Sequence, residues 1–210
     1  AALRVNGDST KFTSIRKNVM VAATIAVAIG MSARFFSRLP RTMIDDITEA
    51  DAAAVAAIYN PYIEGTCITF EIDPVTPQTM ARRIRATRER YPWIGWREEG
   101  ELLGYAYLTR YRDRAAYDHV AESSVYLRPA ASGRGIGTAL YRRLVALAPA
   151  HGISQIIGVI ALPNDISEQL HAALGFRRAG VLEGVGYKFG RHVDTACWQL
   201  AVGEEARNGG

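Results

Sequence analysis

The sequence predicts an α/β (α+β) fold in which a mixed central β-sheet is flanked by helices. Three observations predict it. Strand-like and helix-like segments alternate from Ile44 to Val202. The run Gln155–Ala161 (QIIGVIA) is almost continuously apolar, as a central strand buried on both faces should be. Residues 120–150 read as strand, glycine-rich turn and helix in direct succession. With 210 residues, 49% of them hydrophobic and 22% charged, the chain can build one globular core.

The elements follow in order. Ile44–Ile47 reads as a short strand. Thr48 is the expected N-cap of a helix over AAAVAAIY, with Glu49 and Asp51 favouring its positive end and Asn60-Pro61 stopping it. Thr66–Ile72 (TCITFEI) alternates and is β-branched, so a strand is expected there. Thr76-Pro77 starts a basic helix that runs to about Arg90. Its arginines 82, 83, 85, 88 and 90 read as a solvated face. Trp93–Arg97 and Leu102–Thr109 pair around the turn Glu98-Glu99-Gly100, and Val120–Leu127 adds a strand. Gly137–Ala150 is a helix with Leu140, Leu144, Val145 and Leu147 on one face. Ser167–Leu174 is a helix ended by Gly175, with Ser167 as a possible N-cap, and His192–Val202 is the last strand. The final residues, 204–210, should fray.

Residues 1–42 are a different kind of sequence. They hold seven basic residues and one acid, a net of +6, which leaves 18 basic and 20 acidic residues for the body, a net of −2. The overall +4 therefore does not argue for nucleic acid. The apolar run Val19–Met31 is shorter than the roughly 20 residues of a membrane span. A signal peptide cleaved near Gly30-Met31-Ser32, an organelle transit peptide, and an extension outside the working domain compete here. The extension, from a misplaced start or a tag, is the preferred reading, with the catalytic domain spanning 43–210. Cys67 and Cys197 have no metal-ligand spacing, so no metal site or disulfide framework is expected and a reducing cytoplasm fits.

The chemistry concentrates in VYLRPAASGRGIGTAL (125–140). Gly133, Gly135 and Gly137 let backbone approach a ligand and turn N–H groups toward it. A helix starting at the same point adds its free amides and dipole. Such a turn cradles a diphosphate, and Arg134 adds charge. A Rossmann fingerprint is excluded because the loop comes late in the chain and lacks the GxGxxG spacing; a Walker A loop is excluded because no GK[ST] follows.

This segment resembles motif A of the GNAT acetyltransferases, a (Q/R)xxGx(G/A) loop. Gly135 and Gly137 match, while Ser132 stands where that family has Gln or Arg. Four more segments, ERYPW (89–93), AYDHVAESSVY (116–126), LPND with LHAALGF (162–176) and GYKFGRHVD (186–194), resemble the phosphinothricin and methionine sulfoximine N-acetyltransferases in the same order. The resemblance spans roughly 44–202. It implies a GNAT fold, acetyl-CoA as co-substrate, no metal, a cytoplasmic homodimer and a small amine acceptor, with no nucleic-acid or membrane partner. The implied activity is one of antibiotic or herbicide resistance. Alternatives are acetylation of a protein or peptide amine, or a non-catalytic acetyl-CoA-binding module.

By the same resemblance Glu122 is the general base, which acetyl transfer needs because a protonated amine cannot attack a thioester. His171 stands where many GNAT enzymes have a tyrosine that protonates the leaving thiolate; a buried structural histidine is the other reading. Val125, Tyr126 and Leu127 would hold the acetyl and pantetheine arm. Gly133, Arg134, Gly135, Ile136, Gly137 and Thr138 would hold the diphosphate, with Asn164 and Ser167 as further contacts. An anionic acceptor should meet cations, and the resemblance points to Tyr111, Arg112, Asp113, Arg114 and Lys188.

Overall fold

The computed structural model describes residues 42–203. The run Val19–Met31 with its competing readings, and the fraying expected over 204–210, lie outside the described residues. Among the described residues, no helix is long and apolar enough to cross a membrane.

Seven strands form one sheet in the order β1-β2-β3-β4-β5-β7-β6. They are β1 Thr42–Asp46, β2 Trp93–Glu98, β3 Glu101–Arg110, β4 Val120–Leu127, β5 Gln155–Ala161, β6 Arg177–Lys188 and β7 Arg191–Ala201. β4 and β5 run parallel and the other neighbours are antiparallel, so the sheet is mixed, as expected. Helices α1 (Ala52–Gly65) and α2 (Pro77–Arg88) cover one face; α3 (Ile136–Leu147) and α4 (Asp165–Ala173) lie on the other. Period-two alternation makes this two-sided core. On β3, Ala106 and Leu108 pack toward α3 while Tyr105 packs toward α1 and α2. Ile136, Leu140, Tyr141 and Leu144 of α3 are buried. Burial of each is worth about 1.5–3 kcal/mol, which fixes the start of α3 against the sheet.

Four expectations are corrected. First, α1 does not stop at Asn60-Pro61 but continues to Gly65 with Pro61 inside. The proline costs about 3 kcal/mol. It is offset by buried Ile63, by the Tyr62 hydroxyl donating to the Leu127 carbonyl at 2.6 Å, and by Thr66 Oγ1 donating to the Tyr62 carbonyl at 2.8 Å. Asn60 bonds both backbone groups of Val75.

Second, Thr66–Ile72 is a loop, not a strand. Its alternating Ile68, Phe70 and Ile72 face outward, and Thr69 between them is buried. Side chains replace the ladder: Thr66 and Thr69 hydroxyls accept from the backbone two residues on, and the Thr69 carbonyl accepts from Lys188 Nζ.

Third, β6 is a strand that the pattern did not announce. It is exposed on both faces over most of its length, so apolar alternation was never required. Its pairing with β7 is broken by two register shifts. Fourth, helix ends move. α3 begins at Ile136 and passes into a 3-10 turn at Ala148–His151, and α4 begins at Asp165. The cap of α4 is therefore Asn164, whose side chain accepts from the Ser167 N–H at 3.2 Å; Ser167 is not the cap. The capped start expected at Thr76-Pro77 is present.

Candidate active site

β4 and β5 pair only from Val120–Gln155 to Ser123–Gly158. Beyond that point β4 stays with β3 up to Leu127, and β5 stays with β7 up to Ala161. The two parallel strands splay apart and leave a cleft. Ser123, Ser124, Tyr126, Tyr141, Asn164 and His171 are among the residues lining it. Within the cleft, backbone groups of Val125, Tyr126 and Leu127 that turn away from β3 have no strand partner on the β5 side. Thus the three residues assigned to the acetyl and pantetheine arm sit at the opening.

The glycine loop follows at once. Arg128 bonds the Leu102 carbonyl, and Pro129–Ala131 make a 3-10 turn. Gly133 and Gly135 take φ of 75° and 78°, the left-handed region where a side chain would be strained. Gly135 is the N-cap of α3. The first amides of α3, at Ile136, Gly137 and Thr138, therefore point out of the helix end without intrahelical acceptors. Ile136 can serve a ligand only through its backbone, because its side chain is buried in the core. Arg134 is already engaged: its guanidinium bonds both oxygens of Glu98 at 2.7 Å. That bond holds Glu98 below the usual carboxylate range, with help from Trp96 Nε1. Between loop and α4 runs a groove lined by Leu127, Ser132, Thr138, Ile166 and Leu170.

Glu122 and His171 point to opposite sides of this cleft. Glu122, Ser124 and Tyr126 share the face of β4 turned toward α1 and α2. Burial pushes the Glu122 carboxyl above its ordinary range, and no cation or hydrogen bond among the described residues opposes the shift. On the neighbouring strand β3, Tyr107 pairs in register with Ser124 and stacks on Trp93 at 4.2 Å. The loop 66–72 closes this side. Tyr59 bonds Thr69 and Glu71, and Arg83 grips Glu71 at 2.6 and 3.0 Å. Arg83 is thus not merely a solvated charge.

On the other face, His171 is 4% exposed and both ring nitrogens are occupied. Nδ1 lies 2.7 Å from the Ser167 carbonyl oxygen and Nε2 lies 2.9 Å from the Tyr141 hydroxyl. Burial lowers its pKa, opposed by the bond to Ser167.

The acceptor-side residues are placed less tightly. Tyr111, Arg112, Asp113 and Arg114 belong to the loop between β3 and β4 and do not line the cleft. Arg112 lies over the rings of Tyr111 and Tyr117 at 5.0 and 5.5 Å, and the Asp113 side chain is fully exposed. Lys188 is buried, with Nζ donating to the Thr69 carbonyl at 2.8 Å. Desolvation lowers its pKa. It pins the loop 66–72 to β6. Among the described residues no cluster of metal-ligating side chains is present.

Sequence reasoning passed over Ser123, Ser124, Tyr107 and Tyr141. Tyr141 follows Leu140 on the buried face of α3 and was not among the residues the pattern picks out; a hydroxyl on that face was the available signal.

The sequence matches the family model of the acetyltransferase (GNAT) domain over residues 44–197. It is 40% identical over 152 residues to the phosphinothricin N-acetyltransferase of Streptomyces viridochromogenes, covering 72% of this chain and 83% of that protein. It is 33% identical to the L-methionine sulfoximine/L-methionine sulfone acetyltransferase of Pseudomonas paraeruginosa, covering 75% and 92%. Among solved structures, the GNAT superfamily phosphinothricin acetyltransferase of Sinorhizobium meliloti in complex with AcCoA superposes with a TM-score of 0.75. The identity there is 37%, over 78% of this chain and 89% of that one.

Proposed function

The chain belongs to the GNAT acetyltransferases, and from that premise we propose that it transfers the acetyl group of acetyl-CoA to the amine of a small amino-acid-like acceptor such as phosphinothricin or methionine sulfoximine. The observation that carries the reading is the splay of β4 from β5, which opens directly onto the glycine loop and the start of α3. The residues fit the co-substrate. Left-handed Gly133 and Gly135, with open space where a side chain would stand, and the free amides of α3 suit a diphosphate. The groove between the loop and α4 suits the slender pantetheine arm, and the cleft suits a thioester.

Glu122 takes the proton of the acceptor ammonium, directly or through one water, and its raised pKa makes it a stronger base than an exposed glutamate. Backbone N–H groups of Val125–Leu127 polarise the thioester carbonyl. The acceptor enters from the side of Glu122, Ser124 and Tyr107, under the loop 66–72. Arg112 and Arg114 draw the anionic acceptor toward that side.

The catalytic domain begins at about Met43, consistent with the family match from residue 44, and residues before it are dispensable for turnover. A second copy of the chain covers the long edge strand β6, where Val181, Leu182, Val185 and Tyr187 stand exposed. Light scattering giving the mass of two chains supports this, and a monomer at working concentration removes it. The reduced cysteines suit a cytoplasmic setting.

An acceptor screen with the full chain, acetyl-CoA and thiol detection tests the reading. Phosphinothricin or methionine sulfoximine should release thiol above background. If neither does and an alanine-terminated peptide does, the acceptor is a protein amine.

A further inference from the structure

His171 borders the cleft, but both of its ring nitrogens are engaged, so a proton on Nε2 leaves it through a chain of hydroxyls. A carbonyl can only accept, so the bond to Ser167 places a hydrogen on Nδ1. The chain then runs from Nε2 to the Tyr141 hydroxyl, from Tyr141 to the Ser123 hydroxyl, and from Ser123 to the Ile157 carbonyl at 3.1 Å. These atoms admit two hydrogen arrangements. With His171 neutral, Tyr141 donates to Nε2 and Ser123 donates to Tyr141. With His171 charged, Nε2 donates to Tyr141, Tyr141 donates to Ser123, and Ser123 donates to Ile157. Adding a proton to His171 reverses two hydroxyls and breaks no bond along the chain.

The ring is held in place. A methyl at Gly158 of β5 would stand 2.4 Å from Nε2 and 2.7 Å from Cδ2, so this edge of the imidazole packs closely against that backbone. Phe176 and Trp198 of β7 pack against it at 4.9 and 6.1 Å. None of these neighbours is charged. Glu122 is the charged group that acts on Tyr141, from across β4.

We propose that Tyr141 delivers the proton taken up by the leaving thiolate, and that His171 works through Tyr141 by resupplying it, with Ser123 holding the far side of the hydroxyl. This rests on the acetyl-transfer reading. As the carbon–sulfur bond breaks, its electron pair goes to sulfur and the Tyr141 O–H proton moves to that sulfur. The Nε2 proton of His171 moves to the Tyr141 oxygen, and His171 is left neutral. It regains a proton from water after the products leave. Burial lowers His171, so the form that reacts, with both ring nitrogens protonated, is the minority form near neutral pH and is replenished by a proton from water between turnovers; burial also raises Tyr141, so no standing phenolate forms and the two transfers occur together.

The test is a double-mutant cycle in the full chain. Tyr141→Phe keeps the ring and removes the hydroxyl; kcat should fall about 100-fold, the lower range of general-acid effects, with KM for acetyl-CoA and the melting temperature little changed. His171→Gln should cost a similar factor, and the double variant no more than either alone. Losses that multiply, or Tyr141→Phe within threefold of wild type, overturn the proposal. If Tyr141→Phe does not fold, Ser123→Ala decides: a roughly tenfold fall in kcat at constant KM supports the chain, and an unchanged kcat removes it. Nitrogen-15 NMR of His171 needs no substrate, so it separates this proposal from the acetyl-transfer reading. The Nδ1–H tautomer is expected at neutral pH, and the Nε2–H tautomer contradicts the chain. A wild-type enzyme that acetylates no amine sinks both.

Discussion

The two faces of β4 are built from adjacent residues and do opposite things. Glu122 looks toward α1 and α2, half-buried and without a cation or hydrogen-bond donor among the described residues, and is suited to taking up a proton. Ser123, the next residue, looks toward α3 and joins a fully bonded chain with Tyr141 and His171 that is suited to giving one. Between them lies only the strand backbone, freed from β5 for the rest of its length. On the proposed reading, a period of two along one strand divides uptake from delivery of protons and leaves the backbone for the acyl donor. The unpartnered carboxyl and the saturated hydroxyl chain also teach that functional groups on the same strand need not share an environment.

Breaking the delivery side should have the largest structural effect. Gly158→Ala drives a methyl into His171 Nε2, and overpacking of this kind costs about 1–3 kcal/mol. Thermal melting should drop by roughly 2–10 °C, and turnover should fall with it. An unchanged melting temperature would mean that the ring has room the structure denies it. Gly135→Ala comes next. It forces an alanine into φ of 78°, a cost of about 1–2 kcal/mol. KM for acetyl-CoA should rise while KM for the acceptor stays within about twofold, because only the loop and the start of α3 are disturbed. If both rise together, the loop does not act on the donor alone.

The smallest effect sharpens the uptake side. The folded pKa of Glu122 is raised, so the native state holds a proton that the unfolded chain has lost above its ordinary pKa of 4.5. Stability therefore falls as pH rises through that window. Glu122→Gln should raise the melting temperature at pH 7 by about 2 °C and lose that advantage at pH 4. A lower melting temperature at pH 7 would show that the carboxylate has a partner stabilising its charge.

Much of this was legible in the sequence because it is local. A strand, a glycine turn and a helix start in direct succession write the proposed donor site into residues 120–140, and Glu122 stands within them. The mixed sheet was likewise written in the apolar run of β5 and in the alternation around it. What stayed hidden depends on distant partners. Thr66–Ile72 has a strand's composition, but its hydrogen bonds go to Tyr59 and Lys188, which sequence spacing cannot pair. β6 has the opposite problem, since glycines and charges obscure a strand that needs no apolar face. His171 was singled out, yet its bond to Tyr141 was not, because it joins residues 30 positions apart.

Acetyl transfer with Glu122 as its base is tested most directly by turnover of Glu122→Gln with acetyl-CoA and phosphinothricin near neutral pH. Wild type should release one thiol per acetylated amine. The variant should bind acetyl-CoA with unchanged affinity and turn over about 100- to 10,000-fold more slowly, the span of a lost general base. Turnover within threefold of wild type, at the same acetyl-CoA affinity, would contradict the assignment.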